Sequence, residues 1–280
     1  MEWKDQGLIL GVRKHGETSA IIEVMTPRHG RHLGLVRGGR SSRQRPVLQP
    51  GNSVMLEWRA RLEEHLGVFT VEGETLRAAR LMDEPLGIYG LQTLAAHLRL
   101  LPERDPHAGL YQAALVVLDH LDEPEKAARL LIRFELALLE ELGFGLDLTA
   151  CAASGTQDEL VFVSPKTGRA VSRQAGRPWQ AQLLALPPFL LSEAQRNRLV
   201  APGQAASGTH GPGDALEQGF NLSFFFLERN VYGPRGIRPP DERAGLIRRI
   251  TAMVAREAEL ARETELARQA EATREAERTQ

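Results

Sequence analysis

Six arginines, Arg28, Arg31, Arg37, Arg40, Arg43 and Arg45, stand in a stretch that carries no acidic residue between Glu23 and Glu57. Gly38, Gly39, Ser41 and Ser42 are interleaved with them. Residues of so little bulk let a backbone approach phosphates closely, and the missing carboxylates leave the guanidinium charges unpaired locally. The whole chain is close to electroneutral, with 35 Lys+Arg against 36 Asp+Glu, so the block concentrates positive potential in one region. A local field of that kind suits a polyanion, nucleic acid first among them. A solvated basic face without a partner has the same composition. Four such groups on phosphates would give a log–log salt slope of about −3 to −4. No base-reading code is visible.

Other groups offer less. His29 and His32 sit two apart in a basic turn with no further ligands nearby, which reads as solvated histidines that gain charge at mild acidity rather than as a metal site. Cys151 is flanked by Ala150, Ala152 and Ala153, which supply no base, so it reads as a buried structural thiol. The carboxylate pairs Glu63-Glu64 and Glu140-Glu141 diverge as neighbours in any regular element. There is no Walker-type loop, no GxSxG elbow and no HExxH, so neither catalysis nor a cofactor is indicated. Trp58 alternates with polar neighbours as a core residue does, whereas Trp3 and Trp179 are open between core and base-stacking roles.

These residues must be positioned by a chain of 280 residues that is 42% hydrophobic, enough to fill two compact domains. One cysteine excludes an internal disulfide and fits a reducing compartment. No apolar run is long enough to span a bilayer, and MEWKDQGLIL has acids where a signal peptide has a basic start, so a cytoplasmic, nucleoid-associated protein with no membrane partner is expected.

The expected fold class is α+β. Strands are predicted over Gly7 to Arg13, Ser19 to Met25, His32 to Arg37, Ser53 to Arg61 and His65 to Glu72, with a turn at Pro27-Arg28-His29-Gly30. Five strands of this length make a barrel the size of an OB-fold, whose second and third strands and adjoining loops often meet nucleic acid. Residues 1–80 are assigned to it. Helical spacing then runs through Leu91 to Leu101, Leu110 to Leu121 and Pro124 to Leu142. A helical domain is therefore predicted over 81–255, with an inserted β-hairpin at 159–173, a helix from about Ser192 and a Phe-rich buried segment between Asp214 and Tyr232. Pro202 to Gly213 reads as a loop or linker. Residues 256–280, with Glu259/Arg262, Glu265/Arg268 and Glu271/Arg274 at i,i+3, read as a charged, solvated helical tail, frayed at its end.

Six segments, in order, carry a family likeness: GETSAI from Gly16, VRGGRSS from Val36, RFELALLEELGFGLDL from Arg133 followed by Cys151, SPKTGRAVS from Ser164, LPPFLLS from Leu186, and FFFLER ending at Arg229. Together they resemble the bacterial RecO family of recombination mediators over nearly the whole chain to about Ile250. The resemblance implies an OB-fold and a helical domain that bind single- and double-stranded DNA and anneal complementary strands. It implies as partners RecR, the C-terminal tail of single-strand-binding protein and, indirectly, RecF and the RecA recombinase. It places DNA contacts on Arg37 and Arg40 first, then Arg43 and Arg45. A tail-peptide site needs an apolar pocket and a cation, for which Arg129, Arg133, Leu130 and Phe134 are candidates; arginines on the wet edge of an amphipathic helix look the same. Many members carry a four-cysteine zinc site beginning near Cys151. With a single thiol this chain cannot form it, so its hairpin must be held by packing and hydrogen bonds.

Two other functions share these residues. One is a protein–protein adaptor whose basic loop docks an acidic partner, and the other an OB-fold RNA-binding factor.

Overall fold

A computed structural model describes residues 1–199 and 212–278. Strands β1 (Glu2–His15), β2 (Ser19–Thr26), β3 (Gly30–Val36), β4 (Ser53–Arg59) and β5 (Val68–Thr75) close into a barrel in the order β1-β2-β3-β5-β4. All neighbours are antiparallel except β3 and β5, which meet in parallel at Leu35 and Val68. This is the five-stranded OB-type barrel expected from the sequence. In β4, Val54, Leu56 and Trp58 point into the barrel while Met55 and Arg59 are exposed, because a period of two turns alternate side chains to opposite faces. At Gly34 a Cβ atom would lie 2.3 Å from the Phe69 ring, so only glycine lets that ring cross the interior.

β1 begins five residues before the Gly7 expected. Its first turns of sequence are charged, and those charges face partners on β4: Lys4 meets Glu57 at 3.3 Å and Arg59 meets Glu2 at 3.1 Å. A bulge between Ile9 and Gly11 then shifts the register. Ile9 joins the barrel core, while Leu8 and Leu10 join the core of the helices.

Helices α1 (Ala78–Asp83), α2 (Gly87–Leu98), α3 (Ala108–Asp119) and α4 (Pro124–Glu141) follow. Pro124 occupies the first turn of α4, where its missing N–H costs nothing. The inserted hairpin, β6 (Leu160–Val163) and β7 (Ala170–Ser172), gains a third strand, β8 (Leu184–Ala185), by way of α5 (Arg173–Gly176) and a 3-10 turn, Arg177–Gln182. No metal is needed to pin it. The Ser172 N–H donates to the buried Cys151 Sγ at 3.2 Å, Ala152 N–H donates to the Ala170 carbonyl, and Arg169 meets Asp147 at 3.1 Å. Burial pushes the Cys151 thiol up, but hydrogen bonds from Ser154 and Ser172 outweigh it and bring the thiol down to about 6.

After a 3-10 turn (Pro188–Leu190), α6 (Glu193–Asn197) is short and opens on a capping box at Ser192 and Gln195. α7 (Pro212–Leu227) runs through a π turn (Glu228–Tyr232) into α8 (Gly233–Arg235). The connection read at Pro202 to Gly213 lies outside the described residues up to position 211, and Pro212 already belongs to α7. Phe220, Leu222, Phe226 and Leu227 are buried as expected, while Phe224 and Phe225 remain partly exposed.

α9 (Asp241–Arg278) closes the described chain. Leu246, Ile250 and Val254 pack into the core, but Leu260 and Leu266 are 53% and 66% exposed. From residue 255 the sequence repeats every six residues, AREAEL then ARETEL. Six residues turn a helix by about 240°, so successive leucines leave on different faces and build no stripe. Among the described residues no ion pair joins Glu259 to Arg262 or Glu265 to Arg268; Gln269 instead donates to Glu265 at 2.9 Å.

The helices are tied at their centre by a buried charge. Glu135 of α4 is fully buried and receives Arg243 of α9 through two hydrogen bonds, 2.7 and 2.8 Å, and the Ser223 hydroxyl of α7 at 2.5 Å. His97 Nε2 of α2 lies 3.3 Å away. Burial alone would raise the Glu135 carboxyl, but Arg243 outweighs it and holds the group far below its ordinary value of 4.5. Arg243→Ala would strand a buried carboxylate, at a cost of about 3–5 kcal/mol, and we expect a fall in melting temperature of roughly 6–20 °C. Glu135→Gln would separate the acid response. A carboxyl depressed on folding stabilises above its ordinary value and loses that contribution as pH falls below about 4.5, so the parent should show an acid slope that the glutamine variant lacks.

Candidate nucleic-acid interface

β3 ends at Val36, and residues 37–52 return over the mouth of the barrel before β4 begins. Leu48 plugs that mouth as part of the barrel core. A Cβ atom on Gly39 would lie 3.0 Å from both Ala20 and Leu48, a tight contact that glycine avoids where the loop lies close to the barrel. The Arg40 N–H donates to the Thr18 carbonyl at 3.0 Å, and the Arg40 guanidinium donates to the carbonyls of Gly16 and Glu17 at 3.0 and 2.6 Å. Helical-type turns from Ser41 to Leu48 complete the loop. Its backbone is thus fastened to the β1–β2 turn while Arg37, Arg43 and Arg45 are left exposed.

Arg37, Arg40, Arg43 and Arg45 are all exposed on this loop, and none forms an ion pair with a described residue. Two cations overlooked in the sequence join them. Arg13 and Lys14 are exposed at the end of β1; Lys14 lies opposite Ala20, which lies opposite Val36, so the end of β1 and the start of the loop share one end of the barrel. The signal was present, two adjacent cations just before the Gly16 turn, but it falls outside the acid-free window. Beside them, on the outer side of β1 and β2, a shallow groove of about 290 Å³ is lined by Gly11, Val12, Arg13, Ile21 and Leu33 together with the ion-paired Glu23 and Arg99.

The other two arginines do not belong to this group. Arg28 lies in the β2–β3 turn, at the opposite end of a seven-residue strand and hence about 20 Å from Arg37. It meets Asp5 at 3.1 Å and donates to the Lys4 carbonyl. Arg31 is only 14% exposed and is shared between Glu23 at 3.0 Å and Glu103 at 3.3 Å, with Arg99 on the far side of Glu23 at 2.7 Å. The expectation that local charge is unpaired is therefore corrected at Arg28 and Arg31. Carboxylates distant in sequence neutralise both.

The aromatic and histidine expectations also divide. Trp58 is core, and Trp3 is stacked between His29, at 4.0 Å and 7°, and Trp58, at 5.7 Å and 20°. Neither offers a free face, whereas Trp179 is 59% exposed. His29 accepts a partner in Asp5 at 2.9 Å, and His32 is buried inside the barrel, not solvated. Burial pushes the His32 imidazole down and so favours its neutral form.

On α4, Phe134 is 1% exposed and packs in the helical core, so it cannot line an open peptide pocket. Leu130 is half-buried. Arg129 pairs with Glu125 and lies 5.4 Å over the Phe189 ring, while Arg133 donates to the Phe189 carbonyl at 2.6 Å.

Comparison with known proteins bears on both halves. The family described as Recombination protein O N terminal matches residues 1–77, and Recombination protein O C terminal matches residues 89–234. The chain is 60% identical over 247 residues to the DNA repair protein RecO of Mesorhizobium japonicum, covering 88% of this chain and 92% of that one. It is 54% identical over 259 residues to the DNA repair protein RecO of Rhodopseudomonas palustris, covering 92% and 100%. The corresponding figures for Brucella abortus are 53% over 247 residues, 88% and 95%.

The division of the arginines is open to measurement. Arg31→Ala removes a half-buried partner from two carboxylates and should cost about 1–3 kcal/mol. Arg43→Ala touches only solvent and should stay within about 0.5 kcal/mol of the parent. Thermal melts of the two variants should therefore separate clearly; equal losses would mean that Arg43 carries structural load.

Proposed function

The chain belongs to the RecO family of DNA repair proteins, and from that premise we propose that it grips DNA by its sugar-phosphate backbone at the barrel mouth and anneals complementary strands. The observation that carries this reading is the group formed by Arg13, Lys14, Arg37, Arg43 and Arg45, exposed around one end of the barrel with no carboxylate spent on them. Two strands repel through their phosphates. Guanidinium groups that neutralise both lower that repulsion and leave the base edges free to pair. Contact of this kind serves single- and double-stranded DNA alike, and its lack of base readout suits annealing of any sequence.

Within that function the protein acts as a mediator rather than an enzyme. It works with RecR and helps load the recombinase, RecA, onto DNA covered by single-strand-binding protein, as its resemblance to the family implies; RecF enters indirectly. The acidic tail of single-strand-binding protein docks on α4, where Arg133 keeps an uncompensated charge beside half-buried Leu130. Arg129 is already paired with Glu125 and serves second.

Replacing Arg37, Arg43 and Arg45 together by Glu should weaken binding to every DNA sequence alike and make the salt slope shallower by about 2 on single strands, while the fold persists. Annealing of strands coated with single-strand-binding protein should fall in parallel. Undiminished DNA binding by a folded triple variant would reject the barrel mouth, and stronger retention of RNA than of DNA of equal length would favour an RNA-binding factor. For the tail, Arg133→Ala should reduce affinity for the isolated tail peptide and spare DNA binding; unchanged peptide affinity would move the site elsewhere.

A further inference from the structure

The chain contains a second stretch without a carboxylate. From Leu160 to Ser192 there is no Asp or Glu, while Lys166, Arg169, Arg173 and Arg177 all occur. The structure folds this stretch into the small sheet of β6, β7 and β8 with the connection through α5 and the 3-10 turn Arg177–Gln182. As at the barrel, some of the charge is spent at home: Arg169 meets Asp147 at 3.1 Å and Arg173 meets Glu159 at 3.0 Å. Both pairs are surface pairs, with the arginines 46% and 60% exposed. Such pairs contribute little and can exchange a carboxylate for a phosphate at small cost. Lys166 and Arg177 are exposed, and neither has an ionic partner among the described residues.

The 3-10 turn itself buries nothing. Every residue from Arg177 to Gln182 is exposed, including Trp179 at 59%. Among the described residues no aromatic ring and no cation stacks on this indole, in contrast to Trp3 and Trp58, whose faces are occupied. Pro178 stiffens the backbone immediately before it. An indole held out on a rigid, polar, locally basic turn loses little entropy when a flat group settles on it. Every base has a π-face, so the contact needs no sequence.

We propose that Trp179, with Arg177 beside it in the turn, forms a second nucleic-acid contact that stacks an unpaired base and thereby holds single-stranded rather than duplex DNA. This deepens the annealing reading and rests on it: the barrel mouth grips backbone regardless of strandedness, and the turn supplies the preference for a strand whose bases are free. The absence of carboxylates across the stretch favours a polyanion with exposed rings over a protein partner, and oligothymidylate is the probe that isolates stacking from pairing.

The test uses the full chain, labelled oligothymidylate, and a duplex of the same length. Trp179→Ala should lower affinity for oligothymidylate by roughly tenfold, within the range measured for removing one stacking ring, and leave duplex affinity unchanged. Trp179→Phe should recover most of the loss, because a phenyl ring still stacks. Arg177→Ala should make the single-strand salt slope shallower by about 0.7. Parent-like binding of oligothymidylate by Trp179→Ala would overturn the proposal, as would an equal loss on duplex, or a tryptophan-dependent capture of polyglutamate with DNA binding untouched. Failure of the parent itself to bind either DNA would sink the annealing reading instead. A melting curve on each variant, expected to match the parent because the side chain is exposed, confirms that the fold is intact.

Discussion

One strand is shared by two cores. β1 pairs with β2 on one side and β4 on the other, so the barrel closes only through it, and the bulge after Ile9 lets it serve a second interior. Ile9 fills the barrel, while Leu8 and Leu10, facing the other way, join the leucines of α2 and α3. Burial of both faces is the reason these three consecutive residues are apolar where a half-solvated strand would alternate. It also welds the barrel to the helices without a long linker. Asn52, fully buried where β4 begins, adds hydrogen bonds from its side chain to the carbonyls of Pro46 and Val47 and accepts the Ala78 N–H that opens α1. The loop over the barrel mouth and the first helix are therefore held by one side chain.

That arrangement decides which cations are free. Arg99, on the residue following α2, and Glu103, shortly after it, reach the outer face of the barrel because the helices are docked against β1 and β2. There they meet Glu23 and Arg31 and close a chain of alternating charge. Arg77 and Arg80 are used similarly against Asp119. At the mouth end of the barrel, none of Arg13, Lys14, Arg37, Arg43 and Arg45 has an ionic partner among the described residues. Positive potential survives at that end because the fold supplies no partner for it.

Most of the architecture was legible in the sequence, since strand alternation and helical spacing are local. The five barrel strands, the helices α2 to α4 and the inserted hairpin follow from residues that signal their own conformation. What escaped was non-local or too short. The start of β1 is hidden by Glu2, Lys4 and Asp5, whose charges make sense only opposite β4 and the β2–β3 turn. β8 has two residues, below any periodicity. Glu135 and Arg243 are 108 residues apart, and each reads as a surface charge on an amphipathic helix until they meet. His32 alternates with Leu33 and reads as polar, but its side of β3 faces the barrel interior, where it touches Trp58 and Phe69 at ring distances of 5.0 and 5.8 Å.

The same distinction governs how a basic stretch should be weighed. Freedom from acids along the chain measures only covalent neighbours, whereas the field at a surface depends on whatever the fold brings alongside. In the N-terminal stretch, Arg28 and Arg31 are neutralised by Asp5, Glu23 and Glu103, and in the later one Arg169 and Arg173 by Asp147 and Glu159. In each case the partner lies outside the acid-free window or at its edge. The difference lies in depth. Arg31 is half-buried and committed to its carboxylates, because desolvated charges cannot exchange partners cheaply. Arg169 and Arg173 stand in water, where the pairing is worth little and a phosphate competes on nearly equal terms. Exposure of the pair, more than its existence, separates an arginine that builds the structure from one still available to a polyanion.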